Sequence, residues 1–241
     1  MALVNLLWVK QFFWDGRVKG LEEQAAFPLT DPHEMGQTLE KSFEKLKYTA
    51  EYPTLFKAAF GTDVTAKGIV QALAQFERTL ISSSSSYDRF LRGEYVMDAS
   101  EKRGMDLFKT AHCAHCHGGH KMYKELFHNN GFDISKIDPG RSAFTGHQED
   151  KGRFRVVTLR NIALTSPYMH DGRFATLREV LDHYSDHIQH SETLSPFLMD
   201  SNGNIRLLRL TSQEKTDIIA FLTTLTDSTF ITNPSFSNPF N

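Results

Sequence analysis

Cysteine is scarce in this chain: 241 residues carry only two, Cys113 and Cys116, so a reading that uses both for one purpose leaves none over. No run of about 18 apolar residues occurs, which excludes a membrane-spanning helix. Charge of one sign is also missing. A net charge of -2 provides no basic stripe, and nucleic acid is therefore not an expected partner. Strand alternation is weak everywhere except in short pieces at 155–158 and 205–210, so the class is mainly α. Residues 2–9 are apolar but lack a basic flank and a small-residue cleavage site, and Lys10 and Asp15 follow soon after. They do not read as a signal peptide.

What is present centres on Cys113-Ala114-His115-Cys116-His117. The Cys-x-x-Cys-His pattern points to covalent attachment of a c-type haem, with each thiol joined to one vinyl group and His117 placed to ligate the iron. Three other readings compete. A thioredoxin-like pair wants a strand before the motif and a βαβ setting, whereas residues 100–110 read as helix. A structural zinc site needs two further ligands, which His112, His115, His117 and His120 could supply. An ordinary disulfide is the third. Haem attachment of this kind in bacteria happens outside the cytoplasm, so a periplasmic protein with an export signal is expected. The absence of that signal implies a mature form or a chain that starts late.

Around the motif the sequence reads as a succession of helices. Leu39, Phe43 and Leu46 recur at helical spacing over 37–48, and Ile69, Leu73, Phe76 and Leu80 make one apolar stripe over 66–80, both expected to be core helices. The serine run 82–86 reads as a loop or domain junction. A helix starting at Ser100 carries Met105, Leu107 and Phe108 into the motif. Residues 118–153 are rich in Gly, His, Asp and Asn and read as a long irregular segment over the haem, with no role given to their histidines. Thr176 with Glu179, and Thr211 with Glu214, form capping boxes. Leu177, Val180, Leu181 and Tyr184 then fall on one buried face, where a tyrosine is ordinarily a core residue. The tail from Asp227 reads as coil.

Taken together these segments resemble the bacterial di-haem cytochrome c peroxidase family, including its MauG-like branch. The resemblance rests on Phe13-Trp14-Asp15-Gly16-Arg17, Leu21-Glu22-Glu23-Gln24, Glu34-Met35, Phe76-Glu77-Arg78-Thr79-Leu80 and the motif at 113–117. It continues through Asp138-Pro139-Gly140-Arg141, Leu159-Arg160-Asn161, Pro167-Tyr168-Met169-His170-Asp171-Gly172 and Phe221-Leu222-Thr223-Thr224-Leu225. It implies two cytochrome c-like haem domains, drawn here as 1–95 and 96–241, the first reacting with hydrogen peroxide and the second relaying or storing oxidising equivalents. By the same resemblance Trp14 conducts electrons between the haems, and Gln24 and Glu34 lie above the peroxidatic iron, Glu34 as general acid and base. Cys113, Cys116 and His117 hold the C-terminal haem, and its opposite ligand falls at Tyr184, fourteen positions after His170. A methionine there marks the peroxidases and a tyrosine the MauG-like branch. The anionic phenolate stabilises higher oxidation states, which favours oxidation of a protein or small-molecule partner over ordinary peroxidase turnover. Met169 is the alternative ligand.

Three departures qualify the resemblance. The first of the family's two Cys-x-x-Cys-His motifs is missing, so the first domain is expected to be incomplete and the chain inactive as a peroxidase by itself. A calcium ion held in the family by an Asn upstream of Met1, with backbone oxygens at Thr165 and Pro167, has an incomplete site here. Val157 replaces a common proline. The implied partners are hydrogen peroxide and an electron-donor protein or protein substrate, and a homodimer is allowed. A mono-haem electron-transfer module is the alternative to the enzyme.

Overall fold

The computed structural model of the chain describes residues 2–132 and 138–238. Residues 133–137 of the expected irregular segment and 239–241 of the tail lie outside the described residues. The fold is mainly α, and several helices begin where a side chain caps them. Two compact units form: one contains 5–13 and 17–81, and the other contains 2–4, 14–16 and 82–238.

In the N-terminal unit, α1 (Leu21–Thr30), α2 (Leu39–Lys47), α3 (Tyr52–Phe60) and α4 (Ala66–Thr79) follow one another. The oxygen of Thr38 accepts from the Lys41 amide to cap α2, and that of Thr65 accepts from Gly68 to cap α4. Two small apolar clusters hold these helices. Leu6, Phe12, Val18, Leu21 and Ala74 make one, and Phe56, Val64 and Ile69 the other, with Phe43 and Leu46 packed against it. The stripe expected along α4 is only half buried: Ile69 and Leu80 are inside, but Leu73 and Phe76 stay 38% and 49% exposed. The buried positions of α4 are instead Gly68 and Ile69, against Phe56, and Ala74, in the cluster of Leu6 and Leu21.

The larger unit is built on α6 (Ala99–Thr110) and α10 (Ser212–Thr223), preceded by α5 (Ser86–Leu91). α6 starts one residue earlier than expected because Asp98, with Glu101, makes its capping box. α6 and α10 cross in backbone contact at Gly104, where an added Cβ would lie 1.8 Å from the Asp217 carbonyl oxygen. Met105 and Phe108 from α6 meet Ile218, Phe221 and Leu222 from α10 in the largest core cluster.

Polar anchors complete the frame. Arg160 donates from Nη1 and Nη2 to the two carboxylate oxygens of Asp88 at 2.7 and 2.8 Å, and also to the His120 carbonyl. Asp227 accepts from Ser82 Oγ and from the amides of Ser83 and Ser84. The serine run is thus a loop fixed by one buried carboxylate. The same carboxylate corrects the reading of the tail as coil. Asp227 caps α11 (Ser228–Ile231), accepting from the Phe230 amide. That network joins residues far apart in sequence, so no local pattern announced it.

Candidate haem site

The motif enters the larger unit as the single turn α7 (Ala114–His117), directly after α6. His112 has a left-handed backbone, with φ of 65°, and this redirects the chain between the two helices. The His117 ring is oriented from behind: its Nδ1 lies 3.1 Å from the Val157 carbonyl oxygen. A carbonyl only accepts, so Nδ1 carries the proton and Nε2 keeps its lone pair. Burial holds the imidazole down to about 4, against its hydrogen bonds to the backbone of Val157 and Met122, so it is neutral at ordinary pH. The strap that supplies Val157 is tied down two ways. Thr158 Oγ1 donates to the Lys121 carbonyl, and Arg160 is anchored on Asp88.

Both cysteines are free thiols, and burial pushes Cys113 up to about 11 and raises Cys116. Among the described residues no group of three or more His, Cys, Asp or Glu is arranged to hold a metal ion, so the zinc arrangement is not formed. A thioredoxin-like setting is absent too, since helix α6 and not a strand leads into the motif.

Cys113, Cys116 and His117 line one cavity with about 1350 Å³ of empty space, counting the part open to solvent. Its walls are largely apolar, with Phe108 from α6, Ile218 and Leu222 from α10, and Leu177, Val180 and Leu181 from α9 (Leu177–Asp182). The capping box of Thr176 and Glu179 starts α9 as expected. Tyr184 also lines the cavity, although the α-helix ends before it: residues His183–His187 form a π-helical turn. The cause is a later strand of chain. Leu208 and Arg209 donate their amides to the carbonyls of Tyr184 and Ser185, and the Leu210 amide donates to Ser185 Oγ. This diversion occupies part of the segment 205–210 expected as a strand, of which only Ile205 makes a bridge, to Met199. Desolvation, with the two thiols nearby, raises the Tyr184 phenol well above its ordinary range.

The residues present fit a haem c. Two thiols, an imidazole with a presented Nε2 and a half-buried tyrosine share one apolar cavity, and a buried ring nitrogen of His128 in its wall has no partner among the described residues. Met169 lines the cavity as well, in a left-handed conformation with φ of 73°. Trp14 belongs to this unit, lines the cavity, and accepts the Arg155 amide at 2.7 Å on its carbonyl.

Gln24 and Glu34 belong to the N-terminal unit. Gln24 is on α1 with a buried Oε1 that has no partner, and Glu34 is exposed in the turn that follows. Thr165 precedes the cis Ser166–Pro167 peptide, and neither it nor Pro167 lines the cavity.

Sequence reasoning passed over several wall residues. His128 and Phe154 face each other across the antiparallel pair β1 (Phe127–His128) and β2 (Phe154–Arg155), and Phe154 stacks on His170 at 3.6 Å. Two-residue strands leave no alternation to detect, so only the pairing itself brings His128 to the site.

Comparison with known proteins agrees with this arrangement. Residues 1–96 match the family model described as di-haem cytochrome c peroxidase. The chain is 36% identical over 229 residues to the methylamine utilization protein MauG of Methylorubrum extorquens, covering 92% of this chain and 63% of that protein. It is 37% identical over 234 residues to the cytochrome c551 peroxidase of Nitrosomonas europaea, covering 94% and 64%. It therefore spans somewhat less than two thirds of the length of these curated relatives. A crystal structure of a MauG-like protein associated with microbial copper homeostasis superposes with a TM-score of 0.88 at 34% identity, covering 100% of this chain and 78% of the other. With its helices, its Cys-x-x-Cys-His cavity and these relatives in agreement, the chain belongs to the di-haem cytochrome c peroxidase and MauG family.

Proposed function

We propose that this chain forms part of a periplasmic c-type haem oxidoreductase that uses hydrogen peroxide, and that residues 96–241 are its electron-relay domain. The observation that carries the reading is the meeting of Cys113, Cys116, His117 and Tyr184 in one apolar cavity. Cys113 and Cys116 would hold the haem by thioethers, and His117, its ring fixed by Val157, would offer Nε2 to the iron. Bound there, the haem supplies one-electron redox chemistry. Tyr184, in the same cavity wall, would supply a phenolate to the iron, a hard donor that would favour higher oxidation states. Trp14, in the cavity wall, conducts electrons from the site. The partner is an electron-donor protein or a protein substrate, with MauG-like oxidation favoured by Tyr184.

Residues 1–95 form, on this reading, the peroxidatic domain, with Glu34 as general acid and base toward peroxide and Gln24 beside it. The exposure of Glu34 leaves it accessible for that role. Since the sequence holds one Cys-x-x-Cys-His motif, this chain alone carries one covalent haem and does not turn over peroxide at an enzyme-like rate. Backbone oxygens of Thr165 and Pro167 contribute to a calcium site. The single motif also favours, as a second reading, a mono-haem electron-transfer module.

Maturation of the chain with haem, followed by intact mass and visible spectroscopy, tests the proposal. One haem per chain is expected, falling to none in a Cys113→Ser/Cys116→Ser variant. A far-red charge-transfer band of methionine ligation would replace Tyr184 by Met169. Steady peroxide turnover by this chain alone would overturn the division of labour between the domains.

A further inference from the structure

The apolar cavity has one polar rim, formed where the β1–β2 pair meets the segment 195–206. His128 projects to the same side as its strand partner Phe154, and both line the cavity. Its Nδ1 lies 3.1 Å from Ser195 Oγ, while its Nε2 is buried and has no partner among the described residues. Ser195 Oγ already accepts from the Phe197 amide, so its hydroxyl hydrogen is available to Nδ1, and Nε2 then carries the ring proton. The His128 ring also packs edge-on against Phe197 at 5.3 Å.

Arg206 also meets Phe197. It donates from Nη2 to the Phe197 carbonyl at 2.7 Å and lines the cavity, and its Nε is likewise buried without a partner. Two N–H groups, each on a side chain that touches Phe197, thus line the cavity with no acceptor among the described residues. A buried donor left unmet is costly, and natural folds rarely keep even one without reason. A carboxylate is the group that satisfies two such donors at once, one of them on a guanidinium.

We propose that His128 and Arg206 are the receptor for a propionate carboxylate of the haem, with Ser195 fixing the His128 ring. This rests on the haem reading given above. It adds a polar anchor to the covalent and axial ones, so that haem orientation is set at three places on its periphery and not by the thioethers and iron ligands alone. It also assigns Arg206 a second effect: a cation at the haem edge favours the reduced iron, and its loss shifts the redox equilibrium toward the oxidised form.

The test uses the full chain matured with haem, with His128→Leu, Arg206→Leu, Arg206→Lys and, as a control for loss of nearby charge, Arg153→Gln. Arg153 acts on His128 only through its charge and pairs with Asp150. Haem count by intact mass, the propionate bending bands in resonance Raman spectra and the midpoint potential are measured for each. The two leucine variants are expected to keep one haem per chain and to shift the propionate bands. Arg206→Leu should move the redox equilibrium about tenfold toward the oxidised form, or ~59 mV for a one-electron couple. Arg206→Lys should recover most of that shift, and Arg153→Gln should leave the bands unmoved. Unchanged bands in both leucine variants, with haem still attached, would overturn the receptor while leaving the haem reading intact. A wild-type chain that takes up no covalent haem would overturn both.

Discussion

The two units of this chain solve the problem of stability differently. The motif unit keeps a large apolar cavity through its middle, so its helices cannot be held by apolar filling alone. Its frame is fixed by backbone contact at Gly104 and by buried polar anchors, Arg160 on Asp88 and Asp227 on the serine run. In the N-terminal unit the polar contacts are slighter, such as Ser42 with Gln37 and Thr38. Its ion pair of Arg78 with Glu22 is 29% and 43% exposed, its clusters are small, and Leu55, Leu73 and Phe76 remain exposed. A site that must hold a rigid cofactor needs a scaffold whose geometry is over-determined, and in this chain that scaffold surrounds the Cys-x-x-Cys-His turn.

The sharpest way to break this contrast is to remove one anchor from each unit. Arg160→Leu leaves the Asp88 carboxylate buried and unpaired, which costs about 3–5 kcal/mol. Urea denaturation and amide exchange should show protection lost across 82–238. Arg78→Leu in the N-terminal unit should cost no more than about 1 kcal/mol, as for a half-exposed pair. Equal losses from the two would mean that the anchors do not distinguish the units.

Gly104→Ala comes next. The new Cβ would meet backbone atoms, 1.8 Å from the Asp217 oxygen and 2.4 Å from its carbonyl carbon, and backbone cannot swing aside. The helices must separate, at a cost of about 1–3 kcal/mol or more, offset by less than 1 kcal/mol of helix propensity. Thermal unfolding measures the fall, and a neutral substitution would show that α6 and α10 are not in backbone contact.

Acid should weaken the haem-free motif unit in two steps. Burial holds His117 to about 4, below the ordinary 6.5, so as pH falls between those values the unfolded chain binds a proton that the folded chain refuses. Stability present above about pH 6.5 is therefore lost progressively down to about pH 4. Asp88 adds a second loss at lower pH. Burial raises its pKa, but hydrogen bonds from Arg160 and Ser85 outweigh this and hold it below the ordinary carboxylate range. Urea midpoints against pH should show a smaller first step in His117→Phe than in the wild type, the remainder coming from His128, which burial also lowers.

What could be read from the sequence was what depends on near neighbours. The capping boxes at Thr176 and Thr211 lie where they were expected, because each needs only a residue three positions on. The Cys-x-x-Cys-His turn is equally local, and both its thiols and His117 line one cavity. Features set by distant partners were illegible. The π-helical turn at Tyr184 depends on amides at 208–210, α11 depends on an Asp227 that also binds 82–84, and His128 reaches the cavity only through its pairing with Phe154. The exposure of Leu73 and Phe76 had the same origin, since an apolar stripe says that a face wants cover but not what covers it.

The smallest expected effect is the most discriminating about the N-terminal unit. A Cβ at Gly68 would also be too close to its neighbours, 2.8 Å from Phe56 Cε1 and 3.0 Å from Thr65 Oγ1, but both contacts are side chains. Phe56 lies in a small cluster beside an exposed Leu55, so its ring can shift by a few tenths of an ångström. Against that cost stands the gain of about 1 kcal/mol from replacing glycine inside a helix. Gly68→Ala should therefore change stability by less than about 1 kcal/mol in either direction, measured by urea denaturation beside Gly104→Ala. A loss as large as that of Gly104→Ala would mean that the Phe56 cluster is as rigid as the frame around the haem motif, and the contrast between the two units would reduce to one of size.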